Sequence, residues 1–330
     1  MNDEPLFIPQ ELTQRNRFPI LLQLGILSVL MLALFGKVAV EYFTPPAAPT
    51  TTPTPIQPIS TTNEYPVVAQ KITDVTLRAE AAYVWDVRSQ RALYAKNAAE
   101  PLPLASITKL MTALLAYELI ADETMATIPL SAVMQEGYSG LEAGEQLGIE
   151  ELRELALISS SNDAAFALGA AVGTLLGEAD PEAQFVQGMN IRADELGFET
   201  LKFWNTTGLD LTSSQPGAVG SARDVSFLME YIVNNYPEII TPTQEAATRI
   251  YNTAGAYHEV NNTNEVALEI PNMIGSKTGF TDLAGGNLTI AFDAGLNRPI
   301  IITVLGSTRD ERFTDVLTLV SAVQGSLGQQ

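Results

Sequence analysis

Strand-like runs gather at the two ends of this chain's body, and helical periodicity fills its middle. Residues 81–87 and 92–95 are short apolar, β-prone runs on either side of Arg88-Ser89-Gln90, the pattern of a hairpin. Residues 273–277, 287–292 and 299–305 repeat the strand signal near the other end, separated by Gly and Asn turns. Between them, Leu110, Ala113, Leu114 and Tyr117 fall at i, i+3, i+4 and i+7 within a helical run over residues 105–120. Residues 150–159, 164–176, 221–234 and a closing stretch at 311–323 also read as helices, with Ser221 as a candidate cap. The simplest arrangement joins the terminal strands in one sheet and leaves the middle as a helical subdomain. A groove between two such parts is a usual place for an active site.

Upstream of that body, residues 18–36 are 19 consecutive uncharged and mainly apolar residues. A helix needs about 20 such residues to cross a bilayer, whereas the apolar region of a cleaved signal peptide usually has about 7–15. Arg15 and Arg17 precede the run and Lys37 follows it, which favours a cytoplasmic N-terminus. Residues 44–62 are dominated by Pro and Thr, the composition of a semi-rigid spacer. The expected organisation is a cytoplasmic stretch at 1–17, a single transmembrane anchor at 18–36, a linker at 37–66, and a folded body at 67–330 on the periplasmic or cell-wall side. No internal repeat suggests a solenoid.

Composition removes several classes of function. Lys plus Arg number 18 against 38 Asp plus Glu, a net charge of −20, which argues against a nucleic-acid partner. The absence of Cys excludes disulfides and thiolate chemistry. His258 is the single histidine, so a multi-histidine metal site is excluded and a Ser-His-Asp triad has one candidate. It lies in a polar stretch and reads as a surface-loop residue. No metal or other cofactor is expected.

Three short motifs carry candidate chemistry. Ser106-Ile107-Thr108-Lys109 sets a hydroxyl and an amine at i and i+3, on one helix face. Such an amine can take the serine proton only when burial, a nearby cation or a helix N-terminus keeps it neutral. Alone the pattern is weak, because ordinary composition yields roughly one copy in a chain this long. Ser160-Ser161-Asn162 also has a plain reading as a helix N-cap, and Lys277-Thr278-Gly279 as a turn at a strand end. Their order and spacing are more telling than any one of them.

Together the motifs resemble those of penicillin-binding proteins and class A β-lactamases. The flanking stretches LPLASITKLMTALLA, SGLEAGEQL, LISSSNDAAFALG, NTTGLD, SARD and GSKTGFTDLAGG narrow the resemblance to the low-molecular-mass D-alanyl-D-alanine carboxypeptidases, serine peptidase family S11. It implies an α/β fold of the β-lactamase/transpeptidase type: an antiparallel sheet flanked by helices, a helical subdomain, and the active site in the groove between them. It further implies that Ser106 is the nucleophile, Lys109 its general base and Ser160 a proton relay. Asn162 would hold the peptide. Lys277, Thr278 and Gly279 would lie on the opposite strand edge, with the substrate's terminal carboxylate at Lys277 and Thr278. The backbone N–H groups of Ser106 and Phe280 would form the oxyanion hole, and Arg312 would assist with the carboxylate. The implied partners are a peptidoglycan stem peptide as substrate, β-lactams as inhibitors, and the membrane through the N-terminal helix.

Many relatives carry a further C-terminal β-rich domain and an amphipathic anchoring helix; here the sequence ends about 50 residues after Lys277, which directs the anchoring expectation to the N-terminus. The segment before Ser221 lacks a His or Tyr expected of the family. A β-lactamase would need a deacylating glutamate, and Glu230 with Asn234 gives only a faint match inside a periodic helix. A cross-link endopeptidase or a non-catalytic wall-binding protein on the same fold are the other readings. Asp163 and Asp224 read as helix-start or structural carboxylates, and Trp85 and Trp204 as packing residues.

Overall fold

The computed structural model describes residues 72–137, 140–177 and 179–327. The expected anchor at 18–36, the spacer, and the boundary at 66/67 lie outside the described residues. Among the described residues, no helix is long and apolar enough to cross a membrane.

Five antiparallel strands form the main sheet: β1 (Ala81–Asp86), β2 (Arg91–Lys96), β3 (Met273–Thr281), β4 (Gly285–Asp293) and β5 (Pro299–Ser307). Their order is β3-β4-β5-β1-β2, so β1 lies against β5 and the two ends of the body close one sheet as the pattern predicts. Both faces are covered, which is why these strands read as continuous apolar runs rather than alternating ones. Ala81, Tyr83, Trp85 and Ile301 face one core cluster, and Ala82, Val84, Ile300 and Ile302 face the other. The second face is sealed by α6 (Glu311–Leu327) through Phe313, Val316, Val320 and Val323, one apolar stripe at helical spacing.

On the first face lie α5 (Ala222–Asn235) and the helical block: α1 (Lys109–Leu119), α2 (Ile149–Ile158), α3 (Asn162–Leu176) and α4 (Pro181–Glu195). Helix α1 is buried on every side from Lys109 to Ala116, as befits a helix apolar nearly all round. Gly173 lets α3 meet the start of α4, since a Cβ there would fall 1.9 Å from the carbonyl oxygen of Pro181. Helix α4 was not expected from the sequence, because its buried stripe is only Phe185, Met189 and Ala193. The hairpin Ala247–Tyr251/Tyr257–Asn261 also escaped prediction, because it buries only Ile250 and Val260.

Candidate active site

The chain reaches the groove through a tightly backed turn. Leu104 donates its N–H to Ala218 O at 3.0 Å, and the Asn287 amide on β4 donates to Pro103 O at 2.9 Å and Leu104 O at 3.0 Å. Ala105 then takes a left-handed φ of 49°, a strained choice for a residue with a Cβ. The segment Ala105–Thr108 is a 3-10 helix, not the first turn of an α-helix. Lys109 follows it as the first residue of α1, and its side chain turns back across this junction onto Ser106. Behind them Gly208 is obligatory: its φ is +81°, and a Cβ would lie 1.9 Å from Ala105 O.

Lys109 is fully buried, and its Nζ lies 2.8 Å from Ser106 Oγ, 2.7 Å from Asn162 Oδ1 and 2.8 Å from Thr207 O. Burial pushes its pKa down from 10.5 to about 7. A neutral amine has two N–H donors and one lone pair. Asn162 Oδ1 and Thr207 O can only accept, so they take the two donors and leave the lone pair for the serine hydroxyl. The Asn162 amide is turned by its other end, which donates to Glu136 O at 2.6 Å.

Ser160, at a left-handed φ of 61°, reaches the groove from the end of α2, and Ser161 caps α3 by accepting from Ala164 N–H at 3.0 Å. The capping and groove-lining readings of this motif are thus both satisfied, by neighbouring residues. From β3, the buried Lys277 Nζ donates to Ser160 Oγ at 2.9 Å and to Thr278 O at 3.0 Å. Burial, and then the charges of Lys109 and Arg312, hold the Lys277 pKa well below the usual lysine range. The Thr278 and Thr263 hydroxyls meet at 2.5 Å. Gly279 lets β3 press against the serine turn, since a Cβ there would come 2.8 Å from Leu104 O. A cavity of about 360 Å³ lined by Glu136, Asp210, Phe280 and Thr281 opens beside these residues. Arg312 Nη1 donates to Gly279 O at 2.8 Å.

The geometry thus gathers Ser106, Lys109, Ser160, Asn162, Lys277, Thr278, Gly279, Phe280 and Arg312 around one groove. Thr207, Glu136, Thr263 and Asn287 were missed as its supports. The first two act through backbone carbonyls, which no side-chain pattern reveals.

A model of the D-alanyl-D-alanine carboxypeptidase family matches residues 67–309. The chain belongs to that family. It is 30% identical over 259 residues to the D-alanyl-D-alanine carboxypeptidase DacF of Bacillus subtilis, covering 76% of this chain but 63% of DacF, less than two thirds of that relative. It is likewise 30% identical over 237 residues to a D-alanyl-D-alanine endopeptidase of Pseudomonas aeruginosa, covering 69% of this chain and 71% of the relative. The ampicillin-bound penicillin-binding protein D2 of Listeria monocytogenes superposes with a TM-score of 0.63 at 28% identity, covering 76% of this chain and 98% of that one. The β-lactamase/transpeptidase-like fold is therefore that of this carboxypeptidase-family member.

Two residues differ from expectation. His258 is not on a surface loop but on the strand Tyr257–Asn261, half-buried, with Nε2 2.7 Å from Glu145 Oε1. It binds the hairpin to the loop before α2, because a strand residue facing inward needs a polar partner. Trp204 is 40% exposed, whereas Trp85 packs on Tyr83 and Phe227 as expected. Glu230 accepts from Trp85 Nε1 at 2.9 Å, a structural task in place of a deacylating one.

Proposed function

We propose that this chain is a serine-type D-alanyl-D-alanine carboxypeptidase that removes the terminal D-alanine of a peptidoglycan stem peptide. The observation that carries this reading is the fully buried Lys109 amine, with pKa near 7 and its lone pair free for Ser106. Ser106 Oγ attacks the D-Ala-D-Ala carbonyl carbon while its proton passes to Lys109 Nζ. The oxyanion settles on the N–H groups of Ser106 and Phe280, where preorganised donors lower the barrier most. Ser160, held by Lys277, relays the proton to the leaving amine nitrogen. D-alanine departs, and water hydrolyses the Ser106 ester. Asn162 aligns the peptide, and Lys277, Thr278 and Arg312 supply the positive and hydroxyl groups for its terminal carboxylate. β-Lactams, which ampicillin represents in the Listeria relative, would acylate the same serine.

The test is mass spectrometry of a synthetic stem peptide ending in D-Ala-D-Ala, with the Ser106→Ala variant beside the wild type. Loss of one alanine from the wild type alone supports the reading; an untouched peptide refutes it. The endopeptidase relative at 30% identity supports a second reading, cleavage of cross-linked stems, which a cross-linked dimer in the same assay examines. The uncharged run at 18–36 supports a tether that holds the body outside the cytoplasm. Carbonate-resistant sedimentation with membranes and protease access from outside would bear that out, and a soluble cytoplasmic chain would overturn it.

A further inference from the structure

An oxyanion donor works only if it is aimed. On the reading above, the strand-side donor is the N–H of Phe280. That N–H shares one trans peptide with the carbonyl of Gly279, and the two point in opposite directions because the peptide is planar. Whatever holds the carbonyl therefore sets the direction of the N–H.

Arg312 holds it, with Nη1 2.8 Å from Gly279 O in the buried interior. Arg312 is 6% exposed, and its Nε has no hydrogen-bond partner. Burial and the neighbouring Arg309 push its pKa down to about 10. A buried cation without a carboxylate contact is costly to keep, so its retention calls for an electrostatic task.

Local sequence brings it to that carbonyl. Thr308 caps α6 by accepting from Glu311 N–H at 3.0 Å, which orients the first turn carrying Arg312. Gly286 on β4 pairs with Phe280, and a Cβ at Gly286 would lie 1.9 Å from Thr308 O. Only the missing side chain lets this turn settle against the sheet and aim Arg312 at the neighbouring residue, Gly279. On its other side Gly279 is pressed against Leu104 O, so the peptide is gripped from both directions. The Arg309 guanidinium, 5.0 Å from the Phe280 ring centroid, restrains the side chain of the donor residue as well.

We propose that Arg312 is a positioning residue of the oxyanion hole, acting through the Gly279 carbonyl to fix and polarise the peptide whose N–H at Phe280 receives the developing negative charge. The inference rests on the serine acyl-transfer reading. It is distinct from a direct contact between Arg312 and the substrate carboxylate, because it acts on turnover and requires no carboxylate on the substrate.

The experiment compares the full chain with Arg312→Gln, Arg312→Lys and Arg312→Ala on two N-acyl-D-alanine thioesters, one releasing thioglycolate, which bears a carboxylate, and one releasing ethanethiol, which does not. Loss of a whole oxyanion donor costs about 100- to 1000-fold in kcat, so a misaimed donor should cost roughly 10- to 100-fold. The expected result is that loss in kcat on both thioesters for Arg312→Gln, with KM for the ethanethiol ester little changed. Lysine should restore part of it, and added guanidinium should restore part of the activity of Arg312→Ala. A loss confined to KM of the carboxylate-bearing thioester overturns the proposal in favour of a carboxylate contact, while unchanged kinetics overturns both roles. A wild type that forms no Ser106 acyl-enzyme with either thioester overturns the functional reading itself, and this proposal with it.

Discussion

Lys109 ties catalysis and stability to one number. Its pKa falls from an ordinary 10.5 to about 7 because the folded protein removes it from water. The unfolded chain therefore binds more protons than the folded one between those two values, and stability rises with pH across that window. The slope approaches about 1.4 kcal/mol per pH unit, which integrates to about 3 kcal/mol between pH 7 and 9.5. Below pH 7 both states hold the proton, and the full penalty of the buried cation applies. Lys109→Met removes this group, so urea unfolding should show wild type gaining about 3 kcal/mol of stability relative to the variant over that range. Contributions from groups unaffected by the substitution cancel in the difference. The same pKa governs acylation of wild type by a fluorescent penicillin, which should rise about tenfold from pH 6 to 8 and then level off. A stability difference independent of pH, or an acylation profile still climbing above pH 9, would refute the argument that burial keeps this amine neutral.

Three further substitutions probe the frame of the site. Gly208→Ala combines a forbidden backbone angle with a clash at Ala105 O, and calorimetry should show a loss of about 3 kcal/mol; an unchanged melting temperature would mean the turn can relax. His258→Ala should lower stability by about 1–2 kcal/mol while penicillin acylation stays within about twofold, which separates a hairpin tie from a catalytic role. Burial pushes the Asp86 carboxyl up, but hydrogen bonds from Arg298 and Ser89 more than reverse this and hold it below 3.8. Its contribution is present above that value and lost as pH falls through the depressed one. Arg298→Gln should thus cost about 3 kcal/mol at pH 7 and progressively less as pH falls through that depressed value, as urea titrations would show.

Much of this protein was legible from residue order. Apolar runs at both ends of the body predicted strands that must share a sheet, since each has two faces to bury, and β1 does lie against β5. The helical block followed from periodicity wherever the apolar stripe was broad. It failed at α4 and at the Ala247–Asn261 hairpin, whose buried positions are too few to stand out. The three motifs supplied the groove's side chains by type and order, and so the class of chemistry.

Tertiary structure alone decided their state. No spacing rule says that Lys109 gives up its proton near pH 7, because its pKa depends on how much water the surrounding helices exclude. Nor does any rule show that Ala105–Thr108 tightens into a 3-10 turn, or that Arg312 arrives at the carbonyl of Gly279 from 33 positions along the chain. Side-chain identity is local, and the sequence carries it openly. Protonation, aim and the free direction of a lone pair are fields and contacts summed over the whole fold, and they exist only once distant segments have packed together.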